Sequence, residues 1–166
     1  NPVKVFVFDT VTSTNDIAKE LCKDNEECIL VVADGQTNGR GRQGKSFFSP
    51  NGSGLYFSMV FNTDSPAFDF TGVTCAVAVA CARAIEKLCN LNVKIKWVND
   101  IYIDGKKVCG ILTEGSVNNE KKLDYAVVGI GINVIAPENG FPDDIKEIAT
   151  AIFPGKTEEN KKKKIV

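Results

Sequence analysis

Three short stretches hold most of the side chains that could do chemistry. In Gly39-Arg40-Gly41-Arg42-Gln43-Gly44, glycines alternate with two guanidinium groups. Glycine lets a backbone approach a ligand closely, and arginine forks onto phosphate or carboxylate oxygens. The spacing formally matches the Gly-x-Gly-x-x-Gly fingerprint of dinucleotide sites. That fingerprint must open a helix, whereas Lys45–Gly54 carries Pro50, Gly52 and Gly54 and has no helical period. Taken alone, the stretch fits a flexible charged surface loop equally well. Lys96-Trp97-Val98-Asn99-Asp100 follows a strand-like run; a lysine there is as a rule solvated, and Asn-Asp commonly starts a turn. In Gly129-Ile130-Gly131-Ile132-Asn133, two glycines inside a strand leave bare backbone. Either something packs against it or a β-bulge forms.

What is missing narrows the chemistry further. The 166 residues contain no histidine, which excludes Ser-His-Asp and Cys-His catalysis. None of the six cysteines forms Cys-x-x-Cys. Most lie in apolar stretches such as Val73–Ala84, so buried, reduced thiols are expected and no metal held by fixed protein ligands. Twenty basic and 21 acidic residues leave a net charge of −1, unlike the strongly basic domains that bind nucleic-acid backbones. No apolar run approaches the roughly 20 residues of a membrane span, and no basic-then-apolar leader opens the sequence. A cytoplasmic protein is therefore expected, and Asn51-Gly52-Ser53 reads as a turn rather than a glycosylation site.

The elements that would position these stretches follow from periodicity. Val3, Val5 and Val7 alternate as in a strand ending near Asp9. Ser13 and Asp16 match a capping box before a short helix with Ile17, Ala18 and Leu21 on one face. Cys28–Asp34 is a buried strand, Gly35–Gly54 a long glycine-rich loop with Arg40, Arg42 and Lys45, and Leu55–Phe61 a strand. Thr71–Leu88 is apolar nearly all round and reads as a buried helix. Val93–Trp97 is a strand, and Tyr102–Ile103 joins Val108–Leu112 through Asp104-Gly105, a pair suited to a type I′ turn. A second hairpin links Gly110–Glu114 to Leu123–Val134 through Val117–Lys122. Phe141–Phe153 reads as a last helix with Pro142 in its first turn. Clustered hairpins predict an α+β fold with a mostly antiparallel mixed sheet flanked by helices, not a doubly wound one.

In sequence, Ser13-Thr14-Asn15, Gly39–Gly44 followed by Ser49-Pro50, Lys96–Asp100, Lys107–Glu114 and Gly129–Asn133 have the order and spacing of motifs in biotin protein ligases. The chain resembles that family from about Thr12 to Asn133. The resemblance implies a biotin/lipoate ligase-like (class II synthetase-like) catalytic domain over residues 1–154. It also implies activation of biotin by ATP and Mg²⁺ to biotinyl-AMP, then transfer to a lysine of a biotin carboxyl carrier protein of a biotin-dependent carboxylase. Ser13, Thr14, Asn15, Gln36, Gly39, Arg40, Gly41 and Lys96 would contact biotin. Arg40, Gly41, Arg42, Phe47, Gly131 and Asn133 would contact the nucleotide, and Lys96, Arg40 and Arg42 would carry catalysis. Lys96 would sit by the biotin carboxylate and the α-phosphate, a placement that suits two anions being brought together.

The sequence departs from the family where Phe47 replaces a common tryptophan and Val98 a common proline. Family members usually carry a small β-rich domain after the catalytic one. The charged stretch 155–166 is expected to be a linker towards such a domain, absent from this chain. With a strand beginning at Val3, no N-terminal helix-turn-helix and hence no DNA partner is expected; homodimers occur in the family. The rival readings are a lipoate or octanoate ligase or transferase and a non-catalytic biotin- or nucleotide-binding module. A purely structural domain leaves the motif order unexplained.

Overall fold

A computed structural model of the chain describes residues 3–22, 28–61, 70–117 and 123–155. Among these, β1 (Val3–Val11), α1 (Thr14–Leu21), β2 (Cys28–Gln36), β3 (Gly54–Phe61), α2 (Phe70–Cys89), β4 (Lys94–Lys96), β5 (Asp100–Ile103), β6 (Lys106–Val117) and β7 (Leu123–Asn133) follow in order. The strands form one sheet in the order β1-β2-β3-β7-β6-β5-β4. β1 and β2 pair in parallel and the other neighbours antiparallel. The fold is α+β with a mixed sheet, as the clustered hairpins predict.

Side chains alternate across a strand, so each strand feeds two faces. On one face Ile29, Val31, Val60 and Val127 pack with Ala18 of α1, and Phe6 and Phe8 close over them. On the other, Ile111, Val128 and Ile130 pack with Ala78, Ala82 and Ile85 of α2. Burying one such aliphatic side chain contributes about 1.5–3 kcal/mol, so these two clusters dominate over any single surface ion pair. The alternation also decides where Gly129 and Gly131 lie. They share the face of Val127, under α1, and not that of Val128 and Ile130.

Several local expectations are corrected. The stretch Phe141–Phe153 is not a helix. One turn closes where the amides of Ile145 and Lys146 donate to the Pro142 carbonyl at 3.0 and 2.9 Å. Beyond it, the backbone is drawn into sheet-like pairing, with Lys107 N donating to Ile148 O at 2.8 Å and Thr150 N to Lys107 O at 2.9 Å. Ile152 and Phe153 donate likewise to Asn133 and Val134, both at 2.9 Å. The β-branched Ile145, Ile148, Thr150 and Ile152 gain little from a helix, and open backbone groups at the ends of β6 and β7 capture them instead. Helix α2 is not buried all round: Thr74, Ala78, Ala82 and Ile85 face the sheet, while Val79 and Leu88 are 40% and 68% exposed. Nothing among the described residues covers its outer side. Ser13 is the N-cap of α1, but its side chain makes no capping hydrogen bond. Asp16 is engaged elsewhere. None of the six cysteines is in a disulfide, and only Cys109 is fully buried. Its thiol is pushed well up by its hydrogen bond with Cys81 and by burial, so it stays neutral.

The Asp104-Gly105 turn is as expected, with φ of 49° and 81°. Hairpin residues 118–122 and the tail 156–166 lie outside the described residues. No helix of the described residues is long and apolar enough to cross a membrane.

Candidate active site

The site is built where α1, the glycine-rich loop and strands β3, β6 and β7 converge. Ser13, Thr14 and Asn15 are 2–4% exposed at the start of α1. Their neighbours form a continuous polar network. Gln36 Oε1 accepts from Thr14 N at 2.8 Å and from the Thr14 hydroxyl at 3.2 Å, while Gln36 Nε2 donates to Ser49 Oγ at 2.9 Å. Fully buried Ser58 lies 2.7 Å from Thr14 Oγ1 and 2.6 Å from Asn15 Oδ1. Asn15 Nδ2 donates to Glu114 Oε2 at 2.7 Å. A hydroxyl or amide buried this deeply needs such partners, because an unpaired one costs about 1–3 kcal/mol.

Bare backbone on β7 receives two of these side chains. A Cβ at Gly129 would collide with the Asn15 carboxamide, and one at Gly131 would come within 2.6 Å of the Phe47 ring. The glycines are thus cradles rather than a bulge. Gly39 is needed for the same reason, since a Cβ there would strike the Phe47 carbonyl and Ser49 Oγ. The loop, exposed over residues 42–46, is pinned by backbone pairing at its base. Gln36 bridges to Ser49 and Arg40 to Ser46, and Arg42–Gly44 forms a 3₁₀ turn with Gln43 at φ 57°.

Phe47 separates two spaces. On one side is a recess of about 30 Å³ lined by Ser13, Thr14, Asn15, Gln36 and Arg40. On the other is an open cleft of about 410 Å³ lined by Arg42, Asn99, Lys107, Asn133, Phe141 and Ile145, among others. The cleft is in the range of small-molecule sites, whereas the recess has room for only a water or two until its side chains shift. The Phe47 ring packs edge-on to Tyr56 with centroids 6.5 Å apart.

The cations divide between these spaces. Arg40 turns inward, its Nη2 paired with Asp16 and, at 3.2 Å, with Glu114. Its Nε is buried with no hydrogen-bond partner among the described residues. Such a donor suits an oxygen of a ligand. Arg42 is exposed at the cleft, with Nη1 3.4 Å from Asn99 Oδ1. Lys107 points into the cleft, its Nζ 2.7 Å from Asp100 Oδ1 and 5.6 Å from the Phe47 ring centroid. Lys96 is not brought in. It is exposed on the edge strand β4, its Nζ 5.4 Å from the Tyr102 ring centroid, and it lines neither space. The structure therefore gathers Ser13, Thr14, Asn15, Gln36, Arg40 and Gly131 at the recess, and Gly41, Arg42 and Asn133 at the cleft. Gly39 adjoins through Ser49.

Sequence reasoning did not single out Lys107, Glu114 or Ser58. Lys107 and Glu114 bracket one of the quoted motifs, so their signal was present. Ser58 is a hydroxyl on the inward face of β3 between buried Tyr56 and Val60, which is itself a signal. Burial works to raise the Glu114 pKa, but hydrogen bonds from Asn15 and Lys19 and the charges of Lys19 and Arg40 outweigh it and hold the carboxyl below its usual range. Among the described residues, no cluster of three or more acidic, cysteine or histidine side chains could hold a metal.

A sequence model of the biotin/lipoate A/B protein ligase family matches residues 7–133. The chain belongs to this family. Among curated ligases of the family, it is 42% identical over 145 residues to the bifunctional ligase/repressor BirA of Bacillus subtilis. The match takes in 87% of this chain and 44% of that protein. It is 32% identical over 147 residues to the biotin–[acetyl-CoA-carboxylase] ligase of Paracoccus denitrificans, covering 87% of the chain and 57% of the relative. Biotin protein ligase from Aquifex aeolicus, solved in complex with biotin and ATP, superposes with a TM-score of 0.75 at 33% identity over 90% of this chain and 59% of that one. The chain thus spans about half the length of the curated family members that it matches.

Proposed function

We propose that this protein is a biotin protein ligase, which makes biotinyl-5′-AMP from biotin and ATP and then passes biotin to a lysine of a biotin carboxyl carrier protein. The observation that carries the reading is a polar recess and a cationic cleft sharing Phe47 as their common wall. Biotin's ureido ring offers one carbonyl and two N–H groups, which the hydroxyls and amides of Thr14, Asn15 and Gln36 and the spare Arg40 Nε can satisfy. Its tail would carry the carboxylate past Phe47 towards Lys107. Phe47 and the Phe141–Ile145 wall offer apolar surface to adenine, and Arg42 and Lys107 offer charge to phosphates.

Within this reading, a biotin carboxylate oxygen bonds to the α-phosphorus as the bond from that phosphorus to the β-phosphate bridge breaks. Pyrophosphate leaves with the electron pair. The Lys107 cation offsets repulsion between the two anions where charge develops, and no enzyme nucleophile is needed. In the second step a neutral carrier-lysine amine forms an amide at the acyl carbon, the bond to AMP breaks, and the amine's proton goes to solvent. Mg²⁺ would ride on the nucleotide phosphates with Asp100 and Asp144 the carboxylates lining the cleft, a donor set that fits a phosphate-borne ion rather than a protein cage. When bound, it supplies charge neutralisation at the departing pyrophosphate. A lipoyl ring offers no oxygen to pair with the buried Arg40 Nε, which disfavours that substrate.

Pyrophosphate release from ATP and Mg²⁺, measured with biotin, with lipoate and with no acid, tests the proposal. Release that requires biotin is expected. Release with lipoate instead moves the protein to the other branch of its family, and silence with either acid removes the ligase reading.

A further inference from the structure

Glu114 is placed where three segments meet, and its chemistry differs from that of everything it touches. Oε2 accepts from Asn15 Nδ2 at 2.7 Å and from Arg40 Nη2 at 3.2 Å, and Oε1 lies 2.9 Å from Lys19 Nζ. Asn15 and Lys19 come from α1, Arg40 from the glycine-rich loop, and Glu114 itself from β6. An ionised carboxylate can only accept hydrogen bonds. The amide of Asn15 must therefore turn its NH₂ to Glu114 and its oxygen to Ser58. Ser58 has one proton to give, and an oxygen–oxygen separation of 2.6 Å from Asn15 Oδ1 requires that proton between them. Thr14 Oγ1 stands 2.7 Å from the same Ser58 hydroxyl as an acceptor, since its own proton goes to Gln36 Oε1 at 3.2 Å.

We propose that Glu114 is a positioning residue for the acid substrate. As a charged acceptor it fixes the donor and acceptor polarity of the Asn15–Ser58 pair and, with Asp16, clamps Arg40 against α1, so that the recess presents one hydrogen-bonding pattern to a ureido group. The inference rests on the biotin ligase reading. Its side chain is 26% exposed and that of Arg40 34%, so the ion pairs add little stability by themselves. The value of the carboxylate is orientation. Glu114→Gln keeps the shape but can donate as well as accept, which removes both the charge and the polarity constraint.

The test is calorimetric titration with biotin of the intact protein, Glu114→Gln, Arg40→Ala and the double variant, with ATP titrated in parallel. Glu114→Gln is expected to weaken biotin binding about tenfold, as loss of a charge-assisted contact should, with ATP affinity unchanged. Because the carboxylate acts partly through Arg40, the loss in the double variant should be smaller than the product of the two single losses. Biotin affinity unaltered in Glu114→Gln, or losses that simply multiply in the double variant, overturns the positioning role while leaving the ligase reading intact. If the unaltered protein does not bind biotin, the ligase reading falls and this inference with it. Should Glu114→Gln fail to fold, Glu114→Asp, which withdraws the carboxylate on a shorter stem, takes its place in the same cycle with the same outcomes.

Discussion

Lys107 and Lys96 sit on β6 and β4, the two strands that flank β5 in one small antiparallel unit, yet their surroundings differ sharply. Lys107 lies against Asp100 and Phe47 in the cleft, partly desolvated, where a charge acts more strongly on a developing anion than it does in water. Lys96 lies on the exposed edge, where solvent screens it. Single-turnover pyrophosphate release should therefore fall about ten- to a hundredfold in Lys107→Ala, equivalent to about 1.5–3 kcal/mol, and by less in Lys96→Ala. The reverse order would return the charge role to Lys96. Both lysines lie in motifs legible in the sequence, although only Lys96 was assigned a chemical role there. Which one enters the cleft was not legible, because a shift of one residue in strand register exchanges the two faces. The pairing of β5 with β6 contains such an irregularity between Ile101 and Tyr102.

Among the elements, β7 does most to shape the site. Its glycines alternate with Ile130 and Ile132, so that the strand is apolar towards α2 and bare towards Asn15 and Phe47. Gly131→Ala should push the Phe47 ring off the wall between recess and cleft and lower biotin-dependent adenylation. Its melting temperature should stay close to that of the unaltered protein. Gly105→Ala offers the contrast. Its φ of 81° lies in the left-handed region but nothing stands within 4 Å of the added methyl. It should cost about 1–2 kcal/mol of stability and leave adenylation unchanged. Equal effects of the two on adenylation would mean that the β7 cradle has no special role. That two glycines inside a strand make room for something is readable from sequence; that the occupants are an asparagine from α1 and a phenylalanine from a loop is not. The helix expected over 141–153 shows the same limit, since its apolar spacing was real but the unpaired ends of β6 and β7 claimed its backbone.

At the scale of the molecule, the glycine-rich loop joins the two halves of the site, touching α1 through Arg40 and the cleft through Arg42. The recess is too small for a bicyclic ring until Arg40 or Phe47 moves, so ligand binding and loop position are coupled. Trypsin cleavage after Arg40, Arg42 and Lys45 should slow when biotin and ATP are both present, and protection should exceed that given by either alone. Identical cleavage with and without ligands would show that the loop does not close over them. By itself the sequence determined the family, the α+β class, the absence of histidine-based chemistry and the segments that form the site, because each of these depends on residue type and spacing along the chain. The tertiary structure decided which lysine faces the cleft, what fills the glycine cradles, and that Glu114 and Ser58 govern the polar network. Those outcomes depend on strand register and on contacts between segments as far apart as Asn15 and Glu114, and no local pattern encodes a distance in space.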